Sequence, residues 1–192
     1  HRAALRRRSM RSPAPAGACR RVGSAGSRAA LARRPALRHG RDMTWPFPRL
    51  AVRALLVEAG RILLVNAYPG GRSDLWCAPG GGVERGVSLP ENLAREVREE
   101  TGLEIAAGPL ALVNEFHDPR GDFHQVEMFF RCRIVRGTLD PGWRDPDGIV
   151  TERRFLSPDE AARVRIKPDS LVEVAFAPEG PARYDPLEPI VG

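Results

Sequence analysis

The order of segments along the chain predicts a fold of the α/β (α+β) type, with a mixed sheet held between helices. Three observations lead there. Two apolar, β-branched runs, 50–57 and 62–65, are separated by a four-residue turn. One helix with readable ends occupies the stretch after Ser88. A second pair of longer strand segments follows, and then further helix starts.

Leu50 to Val57 reads as a strand, Glu58-Ala59-Gly60-Arg61 as a tight turn and Ile62 to Val65 as the returning strand. Residues 68–74 (YPGGRSD) are a loop by their Gly, Pro and Asp content. Leu75 to Ala78 is a short strand that feeds the glycine-rich loop Gly80-Gly81-Gly82. Ser88 is the expected N-cap of the main helix, with Pro90 in the first turn and Glu91 completing a capping box; Gly102 ends it. Leu93 and Val97, four apart, give that helix its buried edge. Ile105–Phe116 and Phe123–Val135 are expected to pair across a turn at 118–122. Residues 137–150 form a loop and Thr151–Leu156 a further strand. Ser157-Pro158-Asp159-Glu160 starts another helix, and Pro168–Ala177 a last one. There is no internal repeat.

The formal charge of +6 is unevenly distributed. Of 30 basic residues, 12 are arginines within 1–41, where there is no acid; this leaves 18 basic against 24 acidic residues in 42–192, a balance of −6. An acidic body argues against broad nucleic-acid binding, which needs a basic surface to displace counterions. Residues 1–43 are rich in Arg, Ala, Ser and Pro without apolar periodicity, so disorder is their expected state. Three explanations compete for them. They are a mitochondrial transit peptide, a basic arm, or upstream sequence translated in error with Met43 as the native start. The third is preferred, because Lys167 is the only lysine beside 29 arginines, as GC-rich coding produces. The expected organisation is thus an extension over 1–43, one domain over 44–178 and an irregular tail over 179–192. The expected location is cytoplasmic, or mitochondrial if the extension is a targeting segment. Cys19, Cys77 and Cys132 lack CxxC spacing and read as reduced thiols. The longest apolar runs are far too short to cross a bilayer.

The chemistry concentrates in Pro79–Leu103. Glu96, Glu99 and Glu100 are three and four apart, and so gather on one helix face. Such carboxylates repel one another by a few tenths of a kcal/mol per pair on an isolated helix. Beside a flexible loop they suit a divalent cation, because hard cations take oxygen ligands and bridge to phosphates. Internal ion pairs, such as Arg95 with Glu99, are the competing use for the same run.

The same residues resemble the Nudix box. Gly81 matches its first position, and Arg95, Glu96, Val97, Glu99, Glu100, Gly102 and Leu103 match its closing run. Val87 stands where that signature has its first Glu. The resemblance implies an α/β/α sandwich over about 48–177, and a Mg²⁺-dependent (or Mn²⁺-dependent) hydrolase. Its substrate would be a small nucleotide, a nucleoside diphosphate linked to another moiety of the triphosphate, ADP-ribose or sugar-nucleotide class. It implies Glu99 and Glu100 as main metal ligands, with Glu96 as third ligand or water-activating group. The loop carbonyls, Gly81 above all, are further ligands. Arg95 would orient carboxylates, and with Val87 in place of its partner it needs another anion: Glu84, Glu91 or Glu99. Glu127 and Glu152 are the candidates for a general base from outside the box; a cross-strand polar partner and a solvated strand end are their plainer readings. His117 and His124 flank the 118–122 turn, and Trp76, Trp143 and Phe116 are stacking or core residues. Pro119, 16 residues after Leu103, matches a weak marker of ADP-ribose-cleaving relatives. Homodimerisation is common in the family that the chain resembles, and nothing in the sequence itself shows it. Two rivals stand beside the hydrolase: a non-catalytic nucleotide-binding sensor, and an RNA-decapping relative that would need the basic arm.

Overall fold

The computed structural model describes residues 48–190; the expectations for residues 1–43 lie outside that range. Its elements are β1 (Arg49–Glu58), β2 (Arg61–Asn66), β3 (Leu75–Cys77), β4 (Gly80–Gly82), α1 (Leu89–Thr101), β5 (Glu104–His117), β6 (His124–Arg136), β7 (Arg153–Leu156), α2 (Pro158–Ala161), β8 (Arg165–Ile166), α3 (Leu171–Phe176), β9 (Arg183–Tyr184) and β10 (Glu188–Pro189). A single 3-10 turn covers Pro69–Gly71.

β1 is the hub of a mixed sheet. It runs parallel to β6 over Arg49–Leu56 and antiparallel to both β4 and β2 along its other edge. β5 and β6 form a long antiparallel hairpin around the expected 118–122 turn. Their register slips around Gly108 and Pro109, where a proline cannot donate to the ladder.

The alternation of β1 sends its residues to two cores. Val52, Ala54 and Leu56 pack with Leu93 and Val97 of α1, while Leu55 packs with Leu171 and Val174 of α3. Helices therefore cover both faces, as the sequence predicts. Complete burial of a side chain the size of Leu93 stabilises by about 1.5–3 kcal/mol.

α1 begins and ends where its sequence says. Ser88 accepts from the Glu91 N–H, the Glu91 side chain reaches back to Ser88, and Gly102 closes the helix in the left-handed region. Other elements differ from expectation. The glycine loop is a strand: β4 pairs with β1 residue for residue, Ala51 with Gly82, Val52 with Gly81 and Arg53 with Gly80. α3 is shorter than 168–177, and β7 begins at Arg153 rather than Thr151. The tail expected to be irregular adds β9 and β10 in parallel to the outer edge of β5.

Candidate functional site

β4 lies close to β1 on one side and to α1 on the other because its three glycines carry no Cβ. Gly80 has φ +141°, and a Cβ there would fall 2.1 Å from the Val52 carbonyl oxygen. Its N–H donates to Glu100 Oε2 at 2.8 Å. A Cβ on Gly81 would fall 2.4 Å from the Glu96 carboxylate, and one on Gly82 would fall 2.8 Å from the Arg49 guanidinium. Gly81 thus lies against Glu96 and Gly80 against Glu100, while Glu99 is joined to Glu96 through Arg95.

Arg95 ties this corner together. It meets Glu96 at 2.6 Å, Glu99 at 2.8 Å and Glu84 at 3.4 Å. Glu84 and Glu99 were expected partners; Glu91 is instead engaged by Ser88 in the capping box. Burial pushes the Glu100 carboxyl up to about 8, against the pull of Arg53 and the Gly80 N–H and with help from Glu96 and Asp145. Burial also raises Glu96, and Arg95 opposes that rise.

With the side chains so arranged, no three His, Cys, Asp or Glu among the described residues are gathered as an ion cage. The reason is visible: Glu96 and Glu99 face Arg95, and Glu100 faces Gly80. The donor set nevertheless fits a hard divalent cation, being carboxylate and carbonyl oxygens around a backbone cradle that a Cβ at Gly81 would fill.

Glu127 and Glu152 lie in different neighbourhoods. Glu127 is 6 % exposed. Arg53 Nε donates to its Oε1 at 2.8 Å, and so does Gln125 Nε2 at 2.8 Å. Arg53 also donates to the Gly80 carbonyl at 2.8 Å, so Glu127 is linked to the glycine strand through that arginine. Burial by itself would lower Arg53, but Glu127, Cys77 and Glu100 together more than offset it and hold the guanidinium above its ordinary value. Glu152 is exposed and pairs with Arg154 at 2.6 Å. It lines a cleft of about 180 Å³ with Asn66, Trp76 and Thr151. Its neighbour Arg153 donates to the Glu100 carbonyl, so the start of β7 is joined to the end of α1.

The aromatic and histidine candidates divide. Trp76 is in the core under the Arg154 guanidinium, 4.7 Å from the ring centroid. Trp143 donates from its indole to the Glu99 carbonyl at 2.8 Å and covers Gly102. Phe116 packs on Phe123 across the hairpin. His124 meets Glu115 at 3.0 Å.

Sequence reasoning passed over Arg49, Arg53, Gln125 and Asp145. The first four-residue interval was a signal: residues four apart on a strand share a face, so Arg49 and Arg53 point the same way, as do Gln125 and Glu127 two apart on the adjoining strand. Asp145 accepts from the backbone N–H groups of Asp147, Ile149 and Val150, and shapes the loop beside Glu100.

A mixed sheet clad by helices on both faces, with a glycine strand against a glutamate-bearing helix, makes this an α/β/α sandwich. The chain belongs to the NUDIX domain family, which its residues 47–174 match. It is 31 % identical over 101 residues to YjhB of Bacillus subtilis, covering 51 % of this chain and 47 % of that protein. It is 32 % identical over 97 residues to the ADP-ribose pyrophosphatase of Methanocaldococcus jannaschii, covering 50 % of this chain and 56 % of that one. The matches span about half the length of these curated relatives. The fold is similar to the crystal structure of an ADP-ribose pyrophosphatase from Streptococcus suis, with a TM-score of 0.55 at 22 % identity over 72 % of this chain and 100 % of that one.

Proposed function

We propose that this protein is a divalent-metal-dependent pyrophosphohydrolase that cleaves the diphosphate linkage of an ADP-ribose-type nucleotide, a nucleoside diphosphate joined to another moiety. The observation that carries this reading is the corner where Gly81 lies against Glu96 while Gly80 holds Glu100. The name of the Methanocaldococcus relative supports the substrate class.

Glu96, Glu99, Glu100 and the Gly81 carbonyl would hold Mg²⁺ or Mn²⁺. Such an ion neutralises phosphate charge and lowers the pKa of bound water. The remaining work belongs to the chain. Arg95 bridges Glu96 and Glu99 and keeps both carboxylates at the corner. Glu127 acts as a positioning residue in this reading, because its Oε1 is already shared by Arg53 and Gln125. Glu152 is then the outside carboxylate retained as proton acceptor, since a single arginine meets it at the surface of a cleft.

The test is a screen of the full chain against ADP-ribose, nucleoside triphosphates, sugar nucleotides and dinucleotides, with Mg²⁺ or Mn²⁺. Metal-dependent turnover of ADP-ribose is expected, and Glu100→Gln should lower it by about a hundredfold or more, the scale of losing a key charge-stabilising group. Full activity in that variant would overturn the ligand assignment. The rival reading, a sensor that binds without cleaving, rests on Val87; tight nucleotide binding with no turnover of any compound in the panel would favour it.

A further inference from the structure

Arg49, Arg53, Arg95 and Arg153 all reach the glycine strand or α1, and three of them have their charge or donors committed. Arg53 is neutralised by Glu127, Arg95 by three glutamates, and Arg153 turns its donors to the carbonyls of Glu100, Trp143 and Val150. Arg49 is different. Its Nη1 donates to Gln125 Oε1 at 2.8 Å, a neutral acceptor, and among the described residues no carboxylate lies within ion-pair distance of it. Its Nη2 and Nε lie beside Gly82 of β4, 2.8 and 3.3 Å from where a Gly82 Cβ would be.

The position is built rather than incidental. Gln125 is 1 % exposed and its amide is fixed at both ends, the oxygen by Arg49 and the nitrogen by Glu127. Glu127 is held in turn by Arg53, so the row Arg49–Gln125–Glu127–Arg53 crosses β1 and β6 and carries one uncompensated positive charge. Burial, and then the neighbouring Arg53, pull Arg49 below its ordinary value, against the attraction of Glu127 and Glu96. A cation that costs energy where it sits is a cation that gains by meeting an anion. A guanidinium presents its donors in a planar fork that suits phosphate oxygens.

We propose that Arg49 is the anchor for a phosphate group of the substrate, held by Gln125 so that its free donors face an anion lying along Gly82. This rests on the hydrolase reading for the identity of the anion, a diphosphate, while the anion site itself stands on the row of side chains.

The experiment is calorimetric titration of the full chain with inorganic pyrophosphate, for the wild type, Arg49→Gln, Arg49→Lys and Gly82→Ala. Melting midpoints are recorded alongside. Arg49→Gln is expected to weaken pyrophosphate binding about tenfold to a hundredfold, as loss of a charge-assisted pair does. Arg49→Lys should recover part of the affinity without the paired geometry. Gly82→Ala, whose new methyl meets the end of Arg49, should weaken binding even where Arg49→Gln folds poorly. Unchanged affinity in either Arg49→Gln or Gly82→Ala, or no uptake of pyrophosphate by the wild type at millimolar concentration, overturns the inference. If wild-type turnover of ADP-ribose persists beside such a result, the hydrolase reading survives it. Arg49-dependent pyrophosphate binding in a protein that hydrolyses nothing in the panel supports the anchor and sinks the hydrolase.

Discussion

The backbone N–H of Gly80 donates to the Glu100 carboxylate across 2.8 Å, and so fastens the strand before the helix to the helix's last acidic side chain. The geometry depends on a residue without a Cβ. At φ +141° and 2.1 Å from the Val52 carbonyl oxygen, a methyl group has nowhere to go, because the Val52 and Arg53 atoms it would meet are all backbone.

Gly80→Ala should therefore destabilise the protein by about 3 kcal/mol or more, combining a disfavoured φ with a backbone clash. Gly86→Ala is the control. It too has a positive φ, of +80°, but nothing lies within 4 Å of its virtual Cβ, so only the left-handed penalty of about 1–2 kcal/mol applies. Urea unfolding of the two variants measures the difference; equal losses would show that the β4–β1 contact is looser than the structure has it.

Glu100 also makes stability depend on pH. Its carboxyl titrates near 4.5 when exposed and near 8 in the folded chain. Below 4.5 both states hold the proton and pH has no effect through this group. Between 4.5 and 8 the unfolded chain has released its proton and the folded one has not, so stability falls as pH rises, and it levels off above 8. Melting midpoints of the metal-free wild type should decline through that window relative to Glu100→Gln, in which this group's contribution to the slope is absent. Mn²⁺ affinity should rise over the same window, because the ligating form is the carboxylate. Parallel melting curves for the two proteins would contradict the buried placement of Glu100.

The two described cysteines should be inert. Burial pushes Cys77 up to about 12, against the pull of Arg53, and Cys132 up to about 12, against a backbone N–H. The thiolate is the reactive form. At pH 8 alkylation of Cys77 and Cys132 in the folded chain should be at least about tenfold slower than in urea, as read by peptide mapping. Rapid labelling of Cys77 in the folded protein would mean that β3 opens readily.

The parts of this fold that were legible carry their information locally. The ends of α1 follow from Ser88, Glu91 and Gly102 because a capping box and a left-handed glycine are satisfied by neighbours in sequence. β4 was not legible, since Gly80-Gly81-Gly82 has no side chains to alternate; its strand character comes entirely from pairing with β1. β9 and β10 are two residues each, and the pair near β10 is held by distant partners, with Lys167 and Asn114 both meeting Glu188. The acidic helix face was legible from spacing. The Arg49–Gln125–Glu127–Arg53 row was not, because it joins two strands whose parallel register no local pattern announces.

Val87 gives the last prediction. Arg95 now divides its donors among Glu84, Glu96 and Glu99, so two of the carboxylates proposed to hold a cation are paired with an arginine instead. Each such half-buried pair competes with an ion for the same oxygens. Val87 is exposed, on the loop between β4 and α1 and one residue before the Ser88 cap. In Val87→Glu a new carboxylate on that loop offers Arg95 an anion that is not a proposed ligand. Its draw on Glu96 and Glu99 should weaken, and the corner should take up Mn²⁺ more tightly, by about threefold to tenfold if the gain matches a partly exposed ion pair of roughly 1 kcal/mol. Titration of Mn²⁺ by electron paramagnetic resonance measures this without reference to turnover. The gain should vanish in Val87→Gln, which has the length of Glu without its charge. A Val87→Glu protein that binds Mn²⁺ no better than wild type would show that Arg95 does not restrain the carboxylates, and that their pairing yields to the ion at no measurable cost.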